Sequence, residues 1–298
     1  MKTLPIIEQH LHGAYGVDFN KAGINEIIKL SHKLRDDGIV GFFPTLVTDT
    51  VENTRRQISV IKEASKECNG ILGIHLEGIF LNPIKKGIHN AEHFMALTIE
   101  NYKKLEDEFI KIVTLAPELD NGLISYLREQ QVKVQAGHCI GWVKNGERID
   151  GVTHTFNAMS GISHKESSTA LSALLNDEVY TEVIADGIHV QDDALKLLLK
   201  TKPQDKVILV SDALPITHSD KKEMVFADSL IYFDGKDARS AAGTLAGSTN
   251  LLPDIVKILG KKNLFNPKYI ENSYKYHNIE PKGELIWDDE FNIVEKNF

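Results

Sequence analysis

The sequence predicts an α/β protein: a (β/α)8 barrel of the TIM type with a short β appendage at its C-terminus. Three observations lead there. Eight short β-rich apolar runs alternate with stretches of helical period. The 298 residues, 42% of them hydrophobic, suffice for one sizeable core and for a barrel of about 250 residues. Ligand-type polar side chains gather just after the apolar runs, at the end of a barrel where active sites are built.

The runs in order are Ile6-Ile7 leading to His10, Ile39 to Phe43, Ile71 to Leu76, Phe109 to Leu115, Val132 to Ala136, Val152 to Phe156, Val179 to Ala185 and Val207 to Val210. Between them, Ile24, Ile27, Ile28 and Leu34 form an apolar stripe that ends near Gly38, and Ile58, Ile61 and Ala64 form another after Thr50. Leu195, Leu198 and Leu199 repeat the pattern after Gln191. Leu251, Leu252, Ile255, Val256 and Leu259 do so after Ser248, which reads as an N-cap. These are the outer-ring helices. Beyond them, 263–278 is polar and aromatic. Glu284 to Trp287 and Phe291 to Val294 flank an acidic turn and read as a hairpin. The expected division is a barrel over 1–262 and a tail over 263–298.

A net charge of −8 without any long run of like charge gives no nucleic-acid or membrane-surface signature. Two cysteines far apart argue against a disulfide framework and for a reducing compartment. No segment reads as a signal peptide, and no apolar run approaches the ~20 residues of a membrane span, so a cytoplasmic protein is expected.

The run ends carry His10 and His12, His75 and Glu77, Glu118, His138, His154, Asp186 with His189, and Asp212. A single histidine there would read as a packed core residue, but so many strand ends in one register point to a site. In His10-x-His12 the period of two puts both rings on one side of an extended strand. With Glu77, they form a ligand set for Zn2+ or a similar divalent ion, and one or two ions are expected. Such an ion lowers the pKa of its bound water from 15.7 to about 7, which hydrolysis of an unactivated amide requires. Asp212, after the eighth run, is placed to move the proton. In isolation it would read as a loop or N-cap aspartate.

Six segments in order carry a family resemblance: His75-Leu-Glu-Gly-Ile-Phe-Leu-Asn-Pro, Lys85-Lys-Gly-Ile-His-Asn90, Phe156-Asn-Ala-Met159, Ile184-Ala-Asp-Gly-Ile-His-Val190, Val210-Ser-Asp-Ala213 and Gly243-Thr-Leu-Ala-Gly-Ser248. They resemble the successive motifs of the N-acetylglucosamine-6-phosphate deacetylases, metal-dependent amidohydrolases. With Pro5 to Gly13 and Phe43 to Thr48 added, the resemblance runs from about residue 5 to about 255. It implies deacetylation of an N-acetylated amino-sugar phosphate in a homodimer. Glu77, His138 and His154 would hold the main metal, and His10 and His12 a second. Zinc is the first expectation, with iron, cobalt or manganese as alternatives. Asp212 would be the general base and acid. His189 would help polarise the acetyl carbonyl. His89, Ile88, Asn157, Ala158, Leu245, Ala246 and Gly247 would line the sugar site.

The chain departs from the family pattern in four places. Lys165-Glu-Ser-Ser stands where the family has an arginine followed by Glu-Pro-Gly, so Lys165 is the expected phosphate contact, without the bidentate fork of arginine. Ile79 replaces a proline. The sixteen-residue interval from His138 to His154 is short, which predicts an abbreviated connection. The chain also begins at the first barrel strand, where family members carry about fifty residues of a small β-sandwich. Cys139 beside His138 reads as a small buried side chain. Two alternative functions follow: an amidohydrolase acting on another N-acyl amino sugar or small amide, and a non-catalytic sugar-phosphate binding protein.

Overall fold

The computed structural model describes residues 1–143 and 147–298. Eight parallel strands form one curled sheet in chain order: β1 (Ile6–Leu11), β2 (Ile39–Val47), β3 (Ile74–Glu77), β4 (Ile110–Leu115), β5 (Lys133–Ala136), β6 (Gly151–Val152), β7 (Tyr180–Val183) and β8 (Val207–Leu209). Each of the eight expected runs supplies a strand, although the Val152 to Phe156 run does so only at Val152 and turns from Thr153 onward. The chain continues past β8 to close on β1 through the bridge between Leu11 and Ala213. The amide of His12 donates to Ala213 O, and that of Asp212 to His10 O. Inside this seam the Glu8 carboxylate accepts from the amides of His10 and Ser211, each at 3.0 Å. Burial pushes the Glu8 carboxyl up to about 8. The seam matters for function, because it ties the His10-x-His12 strand to the segment that carries Asp212.

The outer helices are α1 (Ile24–Asp36), α2 (Val51–Ala64), α3 (Leu123–Glu129), α4 (Thr169–Leu175), α5 (Asp192–Thr201), α6 (Leu252–Lys261) and α7 (Lys268–His277). In α1, Ile27 and Leu34 of the predicted stripe are buried together with Leu30, while Ile24 and Ile28 are half-buried, and α2 buries Ile58, Ile61 and Ala64 under an N-cap in which Thr50 Oγ1 accepts from the Asn53 amide. Ser248 does not cap α6. That helix begins at Leu252, where Pro253 suits the first turn and Asp254 bonds back to the Leu251 amide, while Ser248 bridges to Ala213. Among the described residues no helix lies between β5 and β6.

Two features exceed the plain barrel. A four-stranded antiparallel sheet follows β8: β9 (Glu223–Phe226), β10 (Ser229–Phe233), β11 (Ala238–Ser240) and β12 (Leu245–Gly247). It returns the chain to the mouth of the barrel. Within 263–298, helix α7 packs on β1 and β8, burying Tyr269, Ile270 and Tyr274, and the Tyr274 hydroxyl donates to Pro5 O. Only then comes the hairpin of β13 (Glu284–Trp287) and β14 (Ile293–Asn297), which pairs with Lys2–Thr3 as a three-stranded appendage. No described helix is long and apolar enough to cross a membrane.

Candidate active site

The ends of five strands, β1, β3, β5, β6 and β8, deliver one or two side chains each to a common point. Glu77, at the tip of β3, is the hub: its Oε2 lies 3.4 Å from His10 Nε2 and 3.1 Å from His12 Nε2. Its Oε1 lies 2.9 Å from His154 Nε2 and 3.5 Å from His138 Nε2. Asp212 Oδ1 sits 3.4 Å from His10 Nε2 and 3.2 Å from His12 Nε2. All six residues are buried. His138, His154 and Asp212 adopt left-handed backbone conformations, with φ of 48°, 30° and 51°. Such values are rare for these residue types and mark the sharp turns at the strand ends, a form of strain that collects at functional sites.

The hydrogen bonds at the far side of each ring decide which nitrogen faces the hub. His12 Nδ1 donates to Thr45 O at 3.1 Å, His138 Nδ1 to Lys85 O at 2.8 Å, and His10 Nδ1 to the Glu182 carboxylate at 3.1 Å. In each, Nε2 is left to aim a lone pair at the hub, the arrangement of a histidine ligand. His138 Nε2 and His154 Nε2 meet at 3.1 Å, and His10 Nε2 and Glu77 Oε1 are buried without a hydrogen-bond partner. Lone pairs that converge without a proton to share fit a divalent ion. The cluster His10, His12, Glu77 and Asp212, and the neighbouring group Glu77, His89 and His138, could each hold a metal, with His154 joining the second through its 2.9 Å approach to Glu77 Oε1. Without an ion, burial lowers the pKa of His10 and His12, but the two carboxylates outweigh it: both are raised, His12 to about 9. Burial likewise raises Glu77 and Asp212, and the same histidine charges bring both below the usual carboxylate range.

His89 is different. The Thr48 amide, at 3.4 Å, and its hydroxyl, at 2.9 Å, both face His89 Nδ1, so Nδ1 accepts and Nε2 carries the proton. That tautomer suits a hydrogen-bond donor rather than a metal ligand. Thr48 Oγ1 also accepts from the Ile79 amide at 3.0 Å. This close approach needs Gly78: a Cβ there would stand 2.2 Å from Thr48 Oγ1, at a φ of +140°. His75 turns both nitrogens to threonines, Thr45 Oγ1 at 3.2 Å and Thr114 Oγ1 at 2.7 Å. Burial holds it neutral, down at about 3.

Above the cluster opens a cleft of about 320 Å3, lined by His12, Glu77, His138, His154, Asp212 and every expected sugar-site residue: Ile88, His89, Asn157, Ala158, His189, Leu245, Ala246 and Gly247. His189 is aimed by Asp186, whose Oδ2 takes Nδ1 at 2.7 Å while Oδ1 accepts the amides of Ile188 and His189. Lys165 is absent from the lining. It sits on an exposed loop, its amide bonded to Ser163 Oγ. The lysine that lines the cleft is Lys85, half-buried, with no hydrogen bond or ion pair from its ammonium among the described residues.

Sequence reasoning passed over Lys85, although it quoted the segment that contains it. It also passed over Glu182, a buried glutamate inside the apolar β7 run. A charged residue amid an apolar barrel strand was the available signal.

No family model matches the chain. The N-acetylglucosamine-6-phosphate deacetylase of Bacillus subtilis (strain 168) is 32% identical over 259 residues, covering 82% of this chain and 65% of that protein. The N-acetylgalactosamine-6-phosphate deacetylase of Escherichia coli O157:H7 is 30% identical over 260 residues, covering 82% and 68%. The chain therefore spans about two thirds of the length of the curated relatives it matches. Among solved structures, the N-acetylglucosamine-6-phosphate deacetylase of Thermotoga maritima has a TM-score of 0.90 at 24% identity, covering 99% of this chain and 86% of that one. A mutant Mycobacterium smegmatis enzyme solved with N-acetyl-D-glucosamine-6-phosphate reaches 0.89 at 21% identity, covering 99% and 84%; both share the fold. A closed barrel with this histidine and carboxylate cluster at its strand ends is of the amidohydrolase type. Within that type, the chain belongs to the family of the N-acetylglucosamine- and N-acetylgalactosamine-6-phosphate deacetylases.

Proposed function

We propose that the protein hydrolyses the acetamide of N-acetylglucosamine 6-phosphate, releasing acetate and glucosamine 6-phosphate. The observation that carries this reading is the convergence of Glu77, His138, His154, His10, His12 and Asp212 on one buried point at the floor of the cleft. Glu77, His138 and His154 would hold the main ion, zinc first and iron, cobalt or manganese as alternatives, with His10 and His12 completing a second position. A bound ion supplies Lewis acidity, which acidifies water and polarises a carbonyl.

The chain's own residues carry the rest of the mechanism. Asp212 takes the proton from the attacking water and returns it to the departing amine. His189, oriented by Asp186, donates from Nε2 to the acetyl oxygen as negative charge builds there. His89 donates from Nε2 to the sugar, while Ile88, Asn157, Ala158 and the Leu245-Ala246-Gly247 segment enclose it. Lys85 meets the phosphate as a point charge. Two buried, free cysteines support a cytoplasmic setting, and a homodimer is the assembly that the family resemblance leads one to expect.

Acetate release from N-acetylglucosamine 6-phosphate by the metal-loaded protein tests the reading, and no release refutes it. The exposed position of Lys165 favours one second reading, an N-acyl amino sugar without phosphate. Equal kcat/KM on N-acetylglucosamine with and without phosphate would establish that instead.

A further inference from the structure

Of the cluster histidines, His10 alone has a carboxylate behind its ring. His12 and His138 donate from Nδ1 to the backbone carbonyls of Thr45 and Lys85, and His154 Nδ1 has no partner among the described residues. His10 Nδ1 donates to Glu182 Oε2 at 3.1 Å, and both groups are fully buried. The same oxygen accepts from the backbone amide of His154 at 3.3 Å. The other, Oε1, accepts from Gln9 Nε2 at 2.6 Å, and Gln9 Oε1 is in turn 3.1 Å from His277 Nε2 on α7.

From this geometry we infer that Glu182 is a positioning residue that sets the His10-His12 metal position apart from the Glu77-His138-His154 one. A carboxylate behind an imidazole fixes its tautomer and makes it a stronger ligand, and such partners are worth roughly 10- to 100-fold in metal affinity. Glu182 gives that gain to one position only. To the other it offers a single bond to the His154 backbone, which leaves that ligand's ring electronically untouched. The chain from His277 through Gln9 holds Glu182 in place, so α7, outside the barrel proper, supports the second ion. A glutamine at 182 would offer a neutral oxygen or an N–H to His10 Nδ1, weakening the ligand without emptying the space.

The inference rests on the metal assignment proposed above. Its test contains no substrate, so failure of the deacetylase reading leaves the outcome unaffected. The full-length protein, stripped with chelator, is titrated with Zn2+ against a chromophoric competitor. Expected are two ions per wild-type chain. In Glu182→Gln, binding of the ion at the His10-His12 position should weaken 10- to 100-fold while the other stays within about threefold. Gln9→Leu, which touches no ligand, should show the same selectivity at smaller amplitude, and it decides the matter if Glu182→Gln does not fold. One ion per wild-type chain, an equal loss at both positions, or no loss at either overturns the inference.

Discussion

Replacing Lys85 and Lys165 separately by methionine tests the main place where the structure redirects the reading of the sequence. Methionine keeps most of the side-chain stem and removes the charge. Lys85 lines the cleft with an unpaired ammonium, and its backbone carbonyl, which holds His138, survives the substitution. Lys165 is exposed and outside the lining. A hydrogen bond to a charged group is worth about 1.5–3 kcal/mol, or roughly 10- to 150-fold. In Lys85→Met, kcat/KM for N-acetylglucosamine 6-phosphate should therefore fall by about that factor, with kcat/KM for the unphosphorylated sugar nearly unchanged. In Lys165→Met, both should stay within about threefold. The assay is acetate release on the two sugars at saturating metal. A larger loss in Lys165→Met than in Lys85→Met, or an equal loss on both sugars in Lys85→Met, would refute the assignment of Lys85 to the phosphate.

Asp212→Asn should lower kcat by about 10^2 to 10^4, the usual value of general acid–base catalysis, with bound metal unchanged by elemental analysis; loss of metal would mean that Asp212 acts as a ligand instead. Removing metal with chelator should lower the melting temperature, because Glu77 and its histidines lose the charge they converge on, and Zn2+ at a hundred times its dissociation constant should restore about 2.7 kcal/mol. His277 is held neutral by burial, down at about 3, whereas the unfolded ring titrates near 6.5. Below pH 6.5 the unfolded chain binds a proton that the fold does not, so stability falls as pH falls. The full shift is worth about 2 kcal/mol at pH 5, and because His277 also lines a separate cavity with Phe43 and Lys133, solvent screening brings the expected loss to about 1 kcal/mol. Denaturant unfolding should show the difference between pH 5 and pH 7 shrink by about 1 kcal/mol in His277→Gln, with the His75 contribution remaining in both proteins.

The barrel and most of its site were legible in the residues themselves, because both depend on local patterns. Apolar runs of strand length define β1 to β8, the period of two puts His10 and His12 on one side, and strand ends in a barrel share one face. Which residues share a hydrogen bond across the barrel depends on closure, and no local pattern encodes that. Glu182 meets His10 only because β7 curls round to face β1 across the barrel interior. Asp212 meets the same ring only because the Leu11–Ala213 bridge seals the seam. The tautomer of His89 depends on Thr48, forty-one residues away in the chain, at an approach that only Gly78 permits. The lysine that reaches the cleft was likewise a matter of tertiary structure. Lys85 and Lys165 are equal as charges in the sequence, and only the path of the chain after β3 puts one of them at the cleft while the other faces solvent.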